Sequence, residues 1–293
     1  MKKIDIHVHT RRRKSINRLG TQSTYCSPEE LIAKYDSIGV EYGVILPTVN
    51  PECCFGDLQP HEDVIEITER YPDRFTWFAN VDPRAVSNAP DADLSYVLRY
   101  LKERGAKGVG EICANMAFDD PKVENLFHHC EINDMPVIFH ISPFPDRLYG
   151  LYDRLGLPLL EGALQKFPRL KFLGHSQPFW AEIGAGLKEE ERNSYPAGRV
   201  VPGRVVELMR KYPNLCGDLS AGSGFNAVSR DEAFGYAFLD EFADRLYFGT
   251  DFCAPENVMP LSGWLDAALA GGHISQETYE KISRKNAEAL LGR

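Results

Sequence analysis

Six residues of this chain combine types and positions that suggest metal chemistry. His7 and His9 stand two apart in the run from Lys3 to His9. Side chains at i and i+2 of an extended strand share a face, so both imidazoles would project one way while Ile6 and Val8 pack the other way against helices. Two more histidines fall at the ends of apolar runs, His140 in Pro136 to Ile141 and His175 in Leu170 to His175. One histidine at a strand end is most often a satisfied polar residue; four, two of them paired, read as ligands. Imidazole suits Zn, Fe, Ni or Mn, and a catalytic site keeps one position open for water or substrate. Two carboxylates join them, Glu111 after Gly108-Val109-Gly110 and Asp251 after Phe248-Gly249-Thr250. Glu111 taken alone reads equally well as a solvent-facing acid. Asp251 is the stronger candidate, because a carboxylate beside a dication can both ligate it and take a proton from bound water.

The elements that must position these residues recur along the whole chain. Short β-rich runs begin near Lys3, Glu41, Phe75, Ala106, Pro136, Leu170, Asn214 and Arg245, a step of about 35 residues, the size of one strand-plus-helix unit. Amphipathic stretches lie between them. Ser27, Pro28, Glu29 and Glu30 open the first helix and Gly39 closes it, which is helix-capping chemistry. Later helices are expected at 62–71, 93–105, 121–133, 158–167, 202–212 and 231–242, with one more over 275–291. Eight strand and helix alternations predict an α/β fold, a (β/α)8 TIM barrel, with the metal site at the C-terminal ends of the strands. A typical barrel takes about 250 residues, leaving about 40 for loops. Connections that leave strands are the long ones (10–26, 142–157, 176–201 and 220–230), so the C-terminal face is the elaborated one. An open doubly wound sheet is the alternative, but Thr10-Arg11-Arg12-Arg13 stands where its glycine fingerprint would lie. Gly222-Ser223-Gly224 reads as a flexible loop rather than a phosphate cradle. No linker divides the chain, and residues 1–293 are expected to form a single domain.

Composition limits the function classes. At 293 residues, 43% hydrophobic and 26% charged, the chain can bury a substantial core. Its 33 Lys and Arg against 42 Asp and Glu give a net charge of −9, which argues against nucleic-acid binding because phosphate neutralisation needs a basic face. Seven cysteines without a CxxC pair, no signal-peptide-like apolar segment after MKKIDIHVHT and no long apolar run lead to the expectation of a reducing, cytoplasmic setting without membrane contact. A homodimer is the default assembly.

The constellation of His7, His9, Glu111, His140, His175 in Phe172-Leu173-Gly174-His175, and Asp251 in Tyr247-Phe248-Gly249-Thr250-Asp251-Phe252 resembles the amidohydrolase superfamily. The match is closest to its amidohydrolase-2 branch of metal-dependent TIM-barrel hydrolases, which also contains the aminocarboxymuconate-semialdehyde-type decarboxylases. The likeness covers essentially the whole chain, including Lys285-Asn286-Ala287-Glu288-Ala289-Leu290-Leu291, similar to that branch's C-terminal helix. It implies that His7, His9 and His140 are ligands and that Asp251 is a ligand and proton shuttle. His175 would be a second-metal ligand or, in a one-metal scheme, a catalytic residue, and Glu111 would occupy the bridging position of two-metal members. One departure is Ser176-Gln177-Pro178-Phe179-Trp180, in place of the glycine-rich segment that often follows this histidine in the decarboxylases.

Softer features complete the expectation. Arg11, Arg12, Arg13 and Lys14, with Arg18, could hold a substrate carboxylate or phosphate, or form a solvated basic loop. Phe144, Tyr149, Phe179 and Trp180 could wall or cover the pocket, or meet another subunit. Cys53, Cys54 and Cys253 read as small buried or loop residues. The function expected is a hydrolase acting on an ester, lactone or amide of a small-molecule, possibly anionic, substrate through a divalent metal, zinc first, with one or two ions per chain. The alternatives are a non-oxidative decarboxylase and a non-catalytic metal-retaining binding protein.

Overall fold

The computed structural model describes residues 1–18, 22–53 and 57–293; Cys54, expected as a loop residue, lies outside them. The apolar runs become strands β1 (Lys3–Val8), β2 (Val40–Ile45), β3 (Phe75–Trp77), β4 (Val109–Ile112), β5 (Val137–Ser142), β6 (Leu151–Tyr152), β7 (Phe172–His175), β8 (Leu215–Asp218) and β9 (Leu246–Tyr247). Named strands pair in parallel in the orders β1-β2-β3 and β4-β5-β7-β8-β9, with the short β6 beside β5. Two seams join the sheets into a barrel. Across one, Ala79 N–H donates to the Gly108 carbonyl at 2.8 Å and Gly110 N–H to the Ala79 carbonyl at 2.7 Å. Across the other, Ile6 N–H donates to Phe248 at 3.1 Å, Asp251 N–H to His7 at 2.8 Å and His9 N–H to Phe252 at 2.8 Å.

Helices α1 (Pro28–Ile38), α2 (His61–Arg70), α3 (Leu94–Glu103), α4 (Pro121–Ile132), α5 (Pro158–Lys166), α7 (Arg204–Lys211) and α9 (Glu232–Glu241) fall close to the expected spans. The first shows why: Ser27 and Glu30 form a reciprocal capping box, Pro28 opens the helix, and Gly39 ends it at φ 75°. Two further helices lie in stretches expected as loops, α6 (Gln177–Ala181) and α8 (Ala221–Ser229), and α10 (Leu261–Ala270) lies in a stretch with no expected element. Helix α8 contains Gly222 and Gly224, which propensity disfavours there. Gly224 is needed because a Cβ would come within 2.4 Å of the Leu219 backbone, so close packing overrides propensity. The expected tail helix forms as α11 (Gln276–Glu280) and α12 (Asn286–Leu291), joined by a π-helical turn at Lys281–Lys285. There Phe248 N–H donates to the Ile282 carbonyl at 3.0 Å, and Asn286 Nδ2 donates to Ala243 and Leu246 at 2.6 and 2.8 Å. The tail is thereby fastened to the last strand.

Register explains how the barrel interior carries the site. Ile138, Leu173 and Cys216 are lateral neighbours on β5, β7 and β8 and pack with Ile4, Ile6, Val44, Phe78 and Tyr247 over Ala287 and Leu291. Two residues further along three of these strands come His140, His175 and Asp218, on the same face by strand alternation. An apolar floor therefore lies one pleat beneath a polar mouth. The first strand departs from simple alternation. Its register against β2 shifts between Asp5 and Val8, so Ile6 joins the interior floor while Val8 packs in the helix-side core. That corrects the expectation that both pack outward. Among the described residues, no helix is long and apolar enough to cross a membrane.

Candidate metal centre

His7 on β1 and His9 just past its end meet at their outer nitrogens, His7 Nε2 lying 3.1 Å from His9 Nε2. Their inner nitrogens are fixed by different partners: His9 Nδ1 donates to the Leu46 carbonyl at 2.8 Å, and His7 Nδ1 faces Asp218 Oδ2 at 2.6 Å. A carbonyl can only accept, so neutral His9 presents a lone pair at Nε2. Two nitrogens aimed at each other this closely need a proton or a metal ion between them. Two carboxylates complete the enclosure. Glu111 Oε2 is 3.7 Å from both Nε2 atoms, and Asp251 Oδ1 is 3.6 Å from His7 and 3.4 Å from His9. Metal–ligand bonds of about 2.0–2.2 Å give tetrahedral edges of about 3.3–3.6 Å. The donor set therefore has the dimensions of a coordination shell.

Backbone chemistry holds these groups in place. Asp5, buried beneath the site, accepts from His7 N–H and Thr250 N–H, each at 2.9 Å, and from the Tyr35 hydroxyl at 2.7 Å. Burial raises its pKa to about 6 despite those bonds. It ties β1 to the turn that carries Asp251, whose φ of 56° is a left-handed conformation rare outside glycine and common at functional sites. Gly110, before Glu111, has φ 151°, and a Cβ there would come within 2.6 Å of the Ile138 carbonyl oxygen.

The electrostatics are those of an anionic pocket. Burial opposes ionisation of Glu111, Asp218 and Asp251, yet the facing histidines hold all three below the usual carboxylate range. Burial also opposes charge on His7, but Asp218 and Asp251 outweigh it and raise its pKa well above the ordinary value. Burial lowers the pKa of His140 in spite of Glu111. Three carboxylates held ionised around one imidazole that keeps an extra proton form a donor set suited to a dication, which would displace that proton. A divalent metal fits these residues.

The other expected residues separate into two groups. His140 Nδ1 bonds Glu111 Oε1 at 2.7 Å. His175 Nε2 lies 3.7 Å from Glu111 Oε1 and 3.9 Å from Asp251 Oδ2, while its Nδ1 meets Ser220 Oγ at 3.0 Å. All six expected ligands are thus gathered at one mouth, with His140 facing the far side of Glu111. Five of them, all but His7, line a cavity of about 50 Å³ together with Arg18, Tyr25, Thr48, Cys53 and Tyr149. His7 sits just behind its wall. Tyr149, from the long loop after β5, packs against His140 with ring centroids 4.5 Å apart and planes tilted by 50°.

Most of the proposed substrate contacts lie elsewhere. Arg11 is 5% exposed and sits behind Tyr25, its guanidinium 4.1 Å from that ring, and bonds Gln59, Thr48 and the Asp57 carbonyl. Arg12 pairs with Asp63 and Glu66 on α2. Arg13 and Lys14 line a separate surface hollow. Arg11 and Arg12 are taken up by α2 and the loop before it and Lys14 by Glu30 on α1, and among the described residues the cation lining the cavity is Arg18. Trp180 is 1% exposed and donates its indole N–H to the Asp218 carbonyl at 2.9 Å. It packs against Gly217 as core rather than wall. Phe144 is 38% exposed, with the Arg147 guanidinium 5.0 Å from its ring, and does not line the cavity among the described residues.

Asp218 and Ser220 were missed by the sequence reading. Asp218 satisfies the criterion that selected Glu111 and Asp251, a carboxylate ending a barrel strand, and applying it to Leu215-Cys216-Gly217-Asp218 would have found it.

The whole chain is similar to several solved structures. An uncharacterised TIM-barrel protein from Bordetella bronchiseptica shares 19% identity and a TM-score of 0.69, with 100% of each chain covered. A probable 2-pyrone-4,6-dicarboxylic acid hydrolase from Acinetobacter baumannii, with citric acid bound, shares 15% identity and a TM-score of 0.60, again with 100% of each chain covered. A dihydroxybenzoic acid decarboxylase from a Polaromonas species, holding manganese and the inhibitor 2-nitroresorcinol, shares 16% identity and a TM-score of 0.59, covering 99% of this chain and 97% of its own. These likenesses establish the TIM-barrel fold. No curated protein sequence matches the chain. The model of the amidohydrolase family matches residues 4–293, and with the barrel and its histidine-carboxylate mouth in place, the chain belongs to the amidohydrolase family in its amidohydrolase-2 branch.

Proposed function

We propose that the protein is a zinc-dependent hydrolase that cleaves an ester, lactone or amide bond in a small anionic substrate. The observation that carries this reading is the pair of facing Nε2 atoms at 3.1 Å, enclosed by Glu111 and Asp251. His7, His9, Asp251 and Glu111 would hold the ion, with His140 supporting Glu111. When bound, a dication supplies a lowered pKa for water and polarises a carbonyl.

The remaining work falls to this chain's residues. The Asp251 carboxylate, 28% exposed toward the cavity, accepts the proton of the attacking water and returns it to the leaving group. With the Ser220 hydroxyl, 3.0 Å from His175 Nδ1, acting as the donor, His175 would carry its proton on Nε2, on the cavity side, to hydrogen-bond the developing oxyanion. Arg18 supplies a cation for a substrate carboxylate. That same cation favours a second reading, decarboxylation of an unsaturated or aromatic acid, in which Asp251 or His175 protonates the carbanion.

A panel of esters, lactones and amides assayed beside CO2 release from aromatic and unsaturated acids separates the two. Hydrolysis without CO2 release is the expected outcome. CO2 release without hydrolysis would overturn the first reading in favour of the second.

A further inference from the structure

Just past the strand that supplies Glu111, two residues on, stands another donor. Cys113 follows the same i, i+2 spacing that pairs His7 with His9, and the donor atoms of Glu111, Cys113 and His140 all lie within 4.8 Å of one another, each residue buried. We propose that Glu111, Cys113 and His140 form a second, thiolate-containing divalent-metal site beside the His7–His9 centre. The proposal deepens the reading of a metal-dependent site and rests on it.

Glu111 is placed to serve both sites. Its Oε2 faces His7 and His9 at 3.7 Å while its Oε1 faces His140 at 2.7 Å. The same carboxylate thus bridges the two donor groups, one oxygen to each. The cysteines are held by one buried residue. Asn50 accepts from Cys113 N–H through its side chain at 2.9 Å, and its carbonyl accepts from Cys53 N–H at 3.1 Å and from the Cys53 thiol at 3.6 Å. Asn50 is itself fixed by Asp82 at 2.8 Å. Cys53 reaches the cavity wall, so ions and solvent have access to this cluster. Mixed sulfur, nitrogen and carboxylate donors select zinc or cobalt over magnesium or calcium. Binding forms one S–metal bond and releases the Cys113 thiol proton to solvent.

The test is titration of metal-stripped full-length protein with cobalt(II), followed by absorbance and elemental analysis. A thiolate-to-cobalt charge-transfer band in the near ultraviolet, growing with the second of two equivalents, is expected. Cys113→Ser should lose the band and one equivalent, whereas Cys130→Ala, altered on α4 away from the site, should keep both. The wild-type band decides the question even if Cys113→Ser fails to fold. Two equivalents without the band, one equivalent without it, or a band that survives in folded Cys113→Ser would each overturn the thiolate site while leaving the first centre standing. No bound cobalt at all would overturn the metal-dependent reading itself.

Discussion

Replacing Asp218 with asparagine changes no heavy-atom count, yet it should disable His7 as a ligand. Asp218 Oδ1 accepts from Ser220 N–H at 2.9 Å, a bond that the carboxamide oxygen of the Asp218→Asn side chain would retain. The other terminus, now NH2, would then face His7 Nδ1 at the position where Oδ2 stands at 2.6 Å. Two donors cannot share that contact, so His7 must move its proton to Nε2, the atom aimed at His9. The lone pair needed for metal is then occupied. Loss of a carboxylate behind a ligating histidine typically lowers metal affinity by about 10–100-fold, equivalent to about 1.4–2.7 kcal/mol. Competition of stripped protein with a chromophoric zinc chelator measures this, with circular dichroism showing that the fold persists. A folded Asp218→Asn protein that binds zinc as tightly as the parent would refute the reasoning. Asp218 would then be a structural acid.

Other perturbations address separate parts of the account. Asp251→Asn should reduce kcat by about 10²–10⁴-fold, the range for loss of a general base, while elemental analysis still finds metal; full turnover would remove Asp251 from proton transfer. Arg18→Met should raise KM for a carboxylate-bearing substrate by about tenfold or more, at about 1.5–3 kcal/mol for a charged hydrogen bond, whereas Arg12→Gln and Arg13→Gln leave KM unchanged. The opposite pattern would return the cationic role to the 11–14 segment. Trp180→Ala should lower stability by about 3–5 kcal/mol as a core deletion, read by denaturant unfolding; a KM effect at unchanged stability would make it a pocket wall after all. Burial raises the pKa of Glu182 to about 7 despite its pairing with Arg192. The folded state therefore holds this proton more tightly than the unfolded state, and stability falls as pH rises from 4.5 through about 7. Relative to wild type, Glu182→Gln should gain about 3 kcal/mol across that window, seen as converging or crossing melting curves. Parallel curves would contradict it.

The readable part of the site obeyed one simple rule. A polar residue ending an apolar run projects from the barrel mouth, and His7, His9, Glu111, His140, His175 and Asp251 all do so. The rule failed only by being applied incompletely, since Asp218 met it too. What the sequence did not disclose depends on contacts distant along the chain. The basic residues after β1 could not be apportioned, because their partners Gln59, Asp63 and Glu66 arrive from the next loop and helix. Trp180 reads as a loop aromatic until α6 forms and lays it against Gly217 and the Asp218 carbonyl. The glycines of α8 suggest flexibility when seen alone; the close backbone of Leu219 gives the reason for Gly224. The side taken by Ile6 turns on a register shift within β1, which no period-two pattern encodes.

The central claim is that a dication sits between His7 and His9, and anomalous diffraction at the zinc edge from crystals of zinc-loaded protein tests it most directly. A peak about 2.0–2.2 Å from His7 Nε2 and His9 Nε2, with Asp251 and Glu111 as neighbours, is the result this account predicts. Zinc-loaded crystals with no peak between those two nitrogens would contradict it.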